Sequence, residues 1–195
     1  MVFSSYEFMW IFLPVVVAVY YLLCKTRLAQ LPLAFLVLAS LFYYAFWDFD
    51  YLAVILCSIL GNYWVGRKIQ GSLTRKRALT IFGVCANVAA LGYYKYTGFV
   101  LETFNQLAGA QIRFPAIALP IGISFFTFQQ IAFLVDCYKE KVQEKSFLSY
   151  CLFVCFFPQL VAGPIVHHSE MMPQFASKEV RIFNPLNFYR GMTLL

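Results

Sequence analysis

Long apolar runs alternate with short polar turns along this chain of 195 residues. The runs lie near 8–24, 28–47, 51–65, 78–94, 118–135 and 147–166. A helix of about 20 apolar residues spans the hydrocarbon layer of a bilayer, and most of these runs approach that length. The pattern therefore predicts an all-α fold, a polytopic transmembrane helical bundle in which residues 1–195 form a single membrane domain within a lipid bilayer.

The fifth run differs from the others because polar side chains interrupt its middle. At about 100° per residue, Ser124, Thr127 and Gln130 lie on one side of a helix. Gln129 and Asp136, which are seven residues apart, lie on a second stripe. Unpaired polar groups are costly in hydrocarbon, so lipid does not cover both stripes. We predict that protein surrounds this helix or that the helix lines a polar cavity. Paired polar groups in a packing helix are the alternative.

Proline and glycine interrupt two of the runs. Pro120 and Gly122 precede the polar stretch, and Pro158 and Gly163 lie inside the last apolar run. An interior proline removes a helical hydrogen bond and clashes with the preceding turn. We therefore predict broken or re-entrant helices, and the last run is expected to form two half-helices or a re-entrant hairpin.

Three other positions carry specific expectations. Residues 96–117 are less apolar, which predicts a short surface or re-entrant segment. An amphipathic connector that lies at the membrane interface is the favoured alternative. Asp136 lies at the C-terminal end of its predicted helix, where the helix dipole disfavours a negative charge. Lys139 is therefore expected to neutralise that charge, unless Asp136 has a separate role. A new helix is expected from Pro185 and is only becoming apolar at Leu195, which predicts that the chain is the N-terminal portion of a longer fold.

Composition and charge exclude the soluble classes. The chain is 62% hydrophobic and 12% charged, whereas average chains are about 45–50% apolar and about 25% charged. The net charge is +6. The basic residues cluster in alternate loops, around Lys25 and in 67–77, so the charge indicates that these loops face the cytoplasm rather than that the chain binds nucleic acid. The intervening turn holds Asp48 and Asp50. Basic loops stay in the cytoplasm, so the N-terminus is predicted outside.

Classical catalytic and metal motifs are absent from the sequence. The six cysteines form no CxxC pair and lie in or next to apolar runs, so they are interpreted as small hydrophobic residues without a metal. There is no Ser-His-Asp order and no nucleotide loop. The two histidines, His167 and His168, are adjacent, and neighbours on a helix point about 100° apart. We do not expect them to act as one unit.

Two motifs carry a resemblance to a known family. PIGISFFTFQQIAFLVDCYK, which begins at Pro120, and FFPQLVAGPIVHHSEMMPQF, at 156–175, resemble the membrane-bound O-acyltransferase family, in particular its alginate O-acetyltransferase branch. The opening residues, MVFSSYEFMWIFLPVVVAVYYLL, and the segment 42–69 resemble the same branch. The resemblance implies a protein of the bacterial inner membrane that transfers acetyl groups to hydroxyls of an exported polysaccharide such as alginate.

The resemblance also implies the partners of the reaction. The donor would be acetyl-CoA or another acyl carrier, acting as a cosubstrate with no bound cofactor or metal. Periplasmic partner proteins would complete acetylation of the polysaccharide acceptor. The family's catalytic histidine is expected beyond Leu195, so no catalytic residue is assigned in this chain and residues 1–195 alone are expected to be inactive. His167 and His168 are expected to position an interface or form hydrogen bonds.

Small polar groups and amides would suit a tunnel for the acyl group and the acceptor. The candidates for lining this tunnel or site are Asn62, Ser124, Thr127, Gln129, Gln130, Gln159 and His168. Hydrogen bonding between helices is the alternative role of each. A membrane transporter with a broken helix and a non-catalytic membrane scaffold remain as alternative functions of the chain.

Overall fold

The computed structural model describes residues 5–26, 28, 30–47, 49, 51–109, 119–142, 146–163, 166–177 and 179–194. Within these ranges the regular secondary structure is helical, and no strand occurs. A π-helical turn, Phe8–Phe12, leads into the first α-helix, and a 3₁₀ turn, Glu179–Arg181, precedes the last. The α-helices are α1 Leu13–Cys24, α2 Leu31–Trp47, α3 Leu52–Gly71, α4 Lys76–Ala108, α5 Ile123–Tyr138, α6 Phe147–Cys155, α7 Phe157–Ala162, α8 His168–Ala176 and α9 Pro185–Leu194.

Helix α5 lies at the centre of the bundle and packs against α3, α4, α6 and α7. It begins directly after Gly122, where the sequence predicts a break. Its polar residues Thr127, Gln129, Gln130 and Asp136 are between 0 and 4% exposed. Protein therefore surrounds the polar part of this helix, as the two polar stripes predict.

Close packing between α4 and α5 depends on a glycine. A Cβ atom built on Gly83 would lie 2.6 Å from Leu134 Cδ1 and 3.1 Å from Val65 Cγ1. A distance of 2.6 Å is far inside van der Waals contact, so only the missing side chain of Gly83 lets α4 approach α5 this closely. The approach brings Asn87, one turn further along α4, into the buried interior.

The last apolar run is divided at Phe156, whose ψ angle of 108° ends α6 before α7 begins. Pro158 lies in the first turn of α7, where the absence of its N–H costs nothing. The structure thus contains two short helices where two half-helices or a hairpin are predicted. An aromatic cluster of Phe8, Phe12, Tyr43 and Phe157 packs around the break, with ring centroids 5.2 to 5.9 Å apart.

The prediction that residues 96–117 form a short segment of their own after the fourth apolar run is wrong for the residues of this range that the structure describes. Helix α4 continues through this polar sequence to Ala108 and ends at Gly109, whose φ of 61° is left-handed. Exposed charges and amides do not stop a helix, whereas a glycine at this position does. Residues 110–118 lie outside the described part of the chain.

The loop between α3 and α4 and the loop between α5 and α6 meet at one end of the bundle. Lys76, at the start of α4, forms an ion pair with Glu140, which follows α5. Gln70, near the end of α3, donates to the carbonyl oxygen of Val142 at 3.4 Å. At the other end of the helices, the hydroxyl of Tyr44 donates to the carbonyl oxygen of Ile121 at 3.1 Å. The α3–α4 and α5–α6 loops therefore lie on the same side.

One described helix, Leu52–Gly71, combines the length and the hydropathy needed to cross a membrane. Three shorter apolar helices accompany it, at Phe8–Cys24, Leu31–Phe46 and Ile123–Tyr138. Asp48 and Asp50, on which the predicted orientation partly depends, lie outside the described residues.

Candidate functional site

A buried network of hydrogen bonds joins α3, α4 and α5. Gln130 Oε1 accepts from Ser58 Oγ at 2.8 Å and also from Asn62 Nδ2. Asn62 and Asn87 bond reciprocally, with Nδ2 to Oδ1 distances of 3.1 and 2.6 Å. Each asparagine also donates to a backbone carbonyl four residues earlier in its own helix. The network therefore fixes the side chain of Gln130 by its oxygen and directs its amino group elsewhere.

The amino group of Gln130 is the exception in this network. Gln130 is 0% exposed, and its Nε2 atom has no hydrogen-bond partner among the described residues. An unsatisfied buried donor costs about 1–3 kcal/mol. A group that reaches Nε2 and accepts its hydrogen bond would recover that free energy.

The network borders an open cavity of about 570 Å³ between α3, α4 and α5, whose walls include the exposed side chains of Trp64 and Phe82. The polar residues that line it are Ser58, Asn62, Asn87 and Thr127. Small and apolar residues form the rest of its surface: Ala53, Val54, Cys57, Gly61, Trp64, Val65, Phe82, Gly83, Ala86, Ala90, Tyr94, Ile123 and Phe126. The cavity thus presents a few hydroxyl and amide groups within an apolar surface, which is the usual character of a small-molecule site.

Gln129 faces a different neighbour, on the second polar stripe of α5. Its Nε2 donates to the carbonyl oxygen of Phe153 at 2.7 Å. The break after α6 frees that carbonyl, because the backbone N–H of Phe157, four residues on, donates instead to Ser40 Oγ at 3.2 Å. The break removes the helical hydrogen bond between the carbonyl of Phe153 and the N–H of Phe157. Gln129 and Ser40 satisfy these two backbone groups instead. This arrangement gives Gln129 a role in stabilising the break, and neither Gln129 nor Gln130 belongs to the lining of the cavity between α3, α4 and α5.

The carboxylate at the end of α5 has an unexpected partner. Asp136 Oδ2 lies 2.8 Å from His167 Nδ1, and Asp136 is buried whereas the His167 side chain is 53% exposed. The sequence favours Lys139 as the compensating group, but the described side chain that contacts Asp136 is His167. The contact joins the end of α5 to the residue that precedes α8.

His168 points into the protein while His167 points outward. It is 6% exposed and packs against Phe133 and Phe153, with ring centroids 5.6 and 5.0 Å away. The two histidines have opposite exposure and do not form a unit, but the reason differs from the predicted helical geometry, because His167 is extended, with a ψ angle of 146°, and precedes α8. Burial among aromatic rings is typical of a packing histidine.

The remaining candidates are spread over different places. Gln159 lies in α7 and lines a separate cavity with Phe156, Met171 and Phe175. Ser124 is half-buried and does not line the cavity between α3, α4 and α5. Among the candidates predicted from sequence, the structure brings together Asn62, Thr127 and Gln130.

Sequence reasoning missed two members of the network, Ser58 and Asn87. Each had a recognisable signal. Ser58 precedes Asn62 by four residues, which places both on one face of a helix. Asn87 is the single amide inside the apolar run 78–94, and such a residue in a membrane segment usually bonds to another helix.

Curated proteins of known name match nearly the whole chain. It is 42% identical, over 98% of its length, to a peptidoglycan O-acetyltransferase of Helicobacter pylori. This chain is a homologue of O-acetyltransferases of the membrane-bound O-acyltransferase type. A probable alginate O-acetylase AlgI of Pseudomonas aeruginosa is another relative, 36% identical over 90% of the chain. One of Azotobacter vinelandii is 34% identical, also over 90%.

These O-acetyltransferases are longer than the chain. The chain spans 42% of the Helicobacter protein and 34% of the Pseudomonas protein. No family model matches it, and no solved structure matches it either. The resemblance to O-acetyltransferases that the two central motifs indicate is confirmed by the named relatives.

Proposed function

We propose that this chain acts in a membrane-embedded enzyme that transfers acetyl groups to hydroxyl groups of an exported polysaccharide. The observation that carries the proposal is the identity of 42% over 98% of the chain with a peptidoglycan O-acetyltransferase. The second group of relatives is named for alginate. Both names describe glycans of the cell envelope, so peptidoglycan is the first acceptor to test and alginate the second.

The proposed enzyme is a polytopic helical bundle in the bacterial inner membrane with its N-terminus outside. The ion pair between Lys76 and Glu140 holds the α3–α4 and α5–α6 loops at the same end of the bundle, so both loops are expected on the same side of the membrane. Basic loops remain in the cytoplasm. A cysteine at Leu73, which is 94% exposed, should be shielded from an impermeant thiol reagent in intact cells, and one at Phe49, 74% exposed, should react. The native cysteines are removed first, and reversed labelling would refute the orientation.

Acyl transfer requires a donor, a base and a route through the protein. The donor is acetyl-CoA or another acyl carrier, and the family resemblance implies a histidine base that is not assigned to any residue of this chain. The cavity between α3, α4 and α5 supplies part of the route. Asn62, Asn87 and Thr127 offer polar groups on its surface. Gln130 is not part of the lining, but its Oε1 accepts from Asn62 and its Nε2 is a buried donor without a described partner. Such groups orient a thioester carbonyl or an acceptor hydroxyl in an otherwise apolar passage.

Genetic deletion in the host organism tests the proposal. Peptidoglycan and exported polysaccharide purified from cells that lack the gene should release less acetate on mild alkaline treatment than the same glycans from parental cells. The intact gene supplied in trans should restore the acetate. Unchanged acetate in every envelope glycan would contradict the proposal. Crosslinking in intact cells, followed by purification of the protein from the membrane fraction, would test whether periplasmic acetylation proteins are partners.

A further inference from the structure

A second cavity lies at the end of the bundle where the α3–α4 and α5–α6 loops meet. Its volume is about 600 Å³, and it lies between the α5–α6 loop, the beginning of α8 and the 3₁₀ turn. Lys141 and Arg181 are its charged lining residues, and no carboxylate belongs to the described lining. The hydroxyl-bearing residues Ser146, Ser149 and Ser169 also line it. The cavity thus combines two positively charged side chains with neutral hydrogen-bond donors.

Two helices begin at this cavity. Ser146 is the N-cap of α6, and its Oγ accepts from the backbone N–H of Ser149 at 3.3 Å. His168 and Ser169 are the first residues of α8, and no side chain caps that helix. The N-terminus of a helix carries a partial positive charge and favours anions. The two helix ends therefore add to the positive potential of Lys141 and Arg181.

Three described acids lie near this cavity without lining it. Asp136 contacts His167, which precedes α8. Glu140 precedes Lys141, but its carboxylate is bonded to Lys76. Glu170 lies in the first turn of α8 and is exposed, and it does not line the cavity. The lining that the structure describes is therefore cationic, and its size accommodates more than a simple ion.

We propose that this cavity binds a phosphate-bearing group. Phosphate oxygens accept several charge-assisted hydrogen bonds, which matches two cations and the serine hydroxyls. The group belongs either to a phosphorylated acyl donor or to the headgroup of an anionic lipid. The first source rests on the proposed acetyltransferase function. It is consistent with the position of the cavity, because its lining includes His168, which contacts Phe133 of α5.

Binding to the intact protein in phosphatidylcholine nanodiscs tests the proposal without turnover. Coenzyme A should bind, and pantetheine, which lacks the phosphates, should bind at least about tenfold more weakly. Lys141→Gln and Arg181→Gln should each weaken coenzyme A binding about five- to tenfold, and Arg181→Lys should weaken it less than Arg181→Gln because the positive charge remains. Lys68→Gln is the matched control, because Lys68 lies over the ring of Trp64 and outside this cavity.

A second measurement separates the two sources of phosphate. Phosphatidylglycerol retained by the purified protein is counted by mass spectrometry in the wild type and in the Lys141→Gln, Arg181→Gln double variant. Loss of coenzyme A binding in the variants identifies the donor as the ligand, and loss of retained phosphatidylglycerol identifies the lipid. If neither ligand depends on Lys141 or Arg181 in variants that remain monodisperse, the proposal is overturned.

These results are independent of the acetylation assay. Suppose that binding depends on Lys141 and Arg181 but that deletion of the gene leaves the acetate of all envelope glycans unchanged. This result would support the phosphate site and reject the acetyltransferase function. Lost acetate after deletion, with neither ligand sensitive to the two variants, would retain the function and reject the phosphate site.

Discussion

Helix α5 and the C-terminal half of α4 both contain polar residues but place them in opposite environments. In α5, Gln129 and Gln130 are fully buried and bond to other helices. In α4, the hydroxyls of Thr97 and Thr103 bond to carbonyls of their own helix, at 2.6 and 2.8 Å, and both bonds are exposed. A polar residue therefore joins helices only where the neighbouring helix comes close enough to be reached.

The change of environment occurs within α4 itself. Gly83 and Asn87 are buried against α3 and α5, whereas Phe99 is 68% exposed and Leu107 is 84% exposed. The first part of α4 belongs to the bundle, and the described residues after it extend beyond the packed interior. Substitutions in the two parts should therefore have opposite consequences, which the following predictions measure.

The largest effect is expected from a matched pair of glycine substitutions in α4. Gly83→Leu should destabilise the protein by about 3 kcal/mol, since added side chains in a packed interior force neighbours apart. Gly98→Leu should be neutral or stabilising by up to about 1 kcal/mol, because a Cβ there meets no atom within 4 Å and leucine favours helices. Thermal unfolding of the intact protein in one detergent measures both. Equal destabilisation by the two variants would refute close packing of α4 on α5.

A matched pair of glutamine substitutions tests the polar network. Gln130→Leu removes the acceptor for Ser58 and Asn62 and should cost about 2 kcal/mol. If Gln130 also borders the route of the acyl group, acetate transferred per folded molecule should fall severalfold. Gln106→Leu, in the exposed part of α4, should change neither quantity. Wild-type acetylation per folded molecule in Gln130→Leu would leave the network with a purely structural role.

Sequence periodicity predicted the burial of α5 because the positions of polar residues on a helix follow from 100° per residue alone. It did not predict which partners those residues would meet. Asn87 joins the network only because Gly83 lets α4 approach, and Asp136 meets His167, which lies 31 residues further along the chain. Both contacts depend on how helices far apart in the sequence pack together.

The polar part of α4 shows the opposite limitation. Its side chains correctly indicated a less apolar environment, but they contain no signal that ends a helix before Gly109. Polarity determines what surrounds a helix, while glycine and proline more often determine where it ends.

A smaller effect is expected at the break between α6 and α7. Ser40→Ala removes the acceptor for the buried N–H of Phe157 and should cost about 1–2 kcal/mol. Thr103→Ala, which removes an exposed hydroxyl bonded to its own helix, should cost less than about 0.5 kcal/mol. Thermal unfolding compares the two. Combining Ser40→Ala with Gln129→Leu should give a non-additive result, because both side chains satisfy backbone groups freed by one break.

The smallest effect is expected where α4 begins beside the end of α5. The hydrogen bond from Lys76, reinforced by its positive charge, lowers the pKa of Glu140 below its ordinary value of 4.5. A carboxyl group whose pKa is lowered by folding stabilises the folded state above its unfolded pKa, and that contribution disappears as the pH falls through the folded pKa. The wild-type protein should therefore lose slightly more stability below pH 4.5 than Glu140→Gln does.

Solvent screening keeps this difference small, because the Glu140 side chain is 68% exposed. Unfolding temperatures of both proteins, measured from pH 6 to pH 3 at low salt, provide the comparison, and added salt should reduce the difference further. Glu102→Gln is the control, since Glu102 lies on the exposed part of α4. Parallel curves for wild type and Glu140→Gln would show that the pair with Lys76 does not hold the start of α4 against the end of α5.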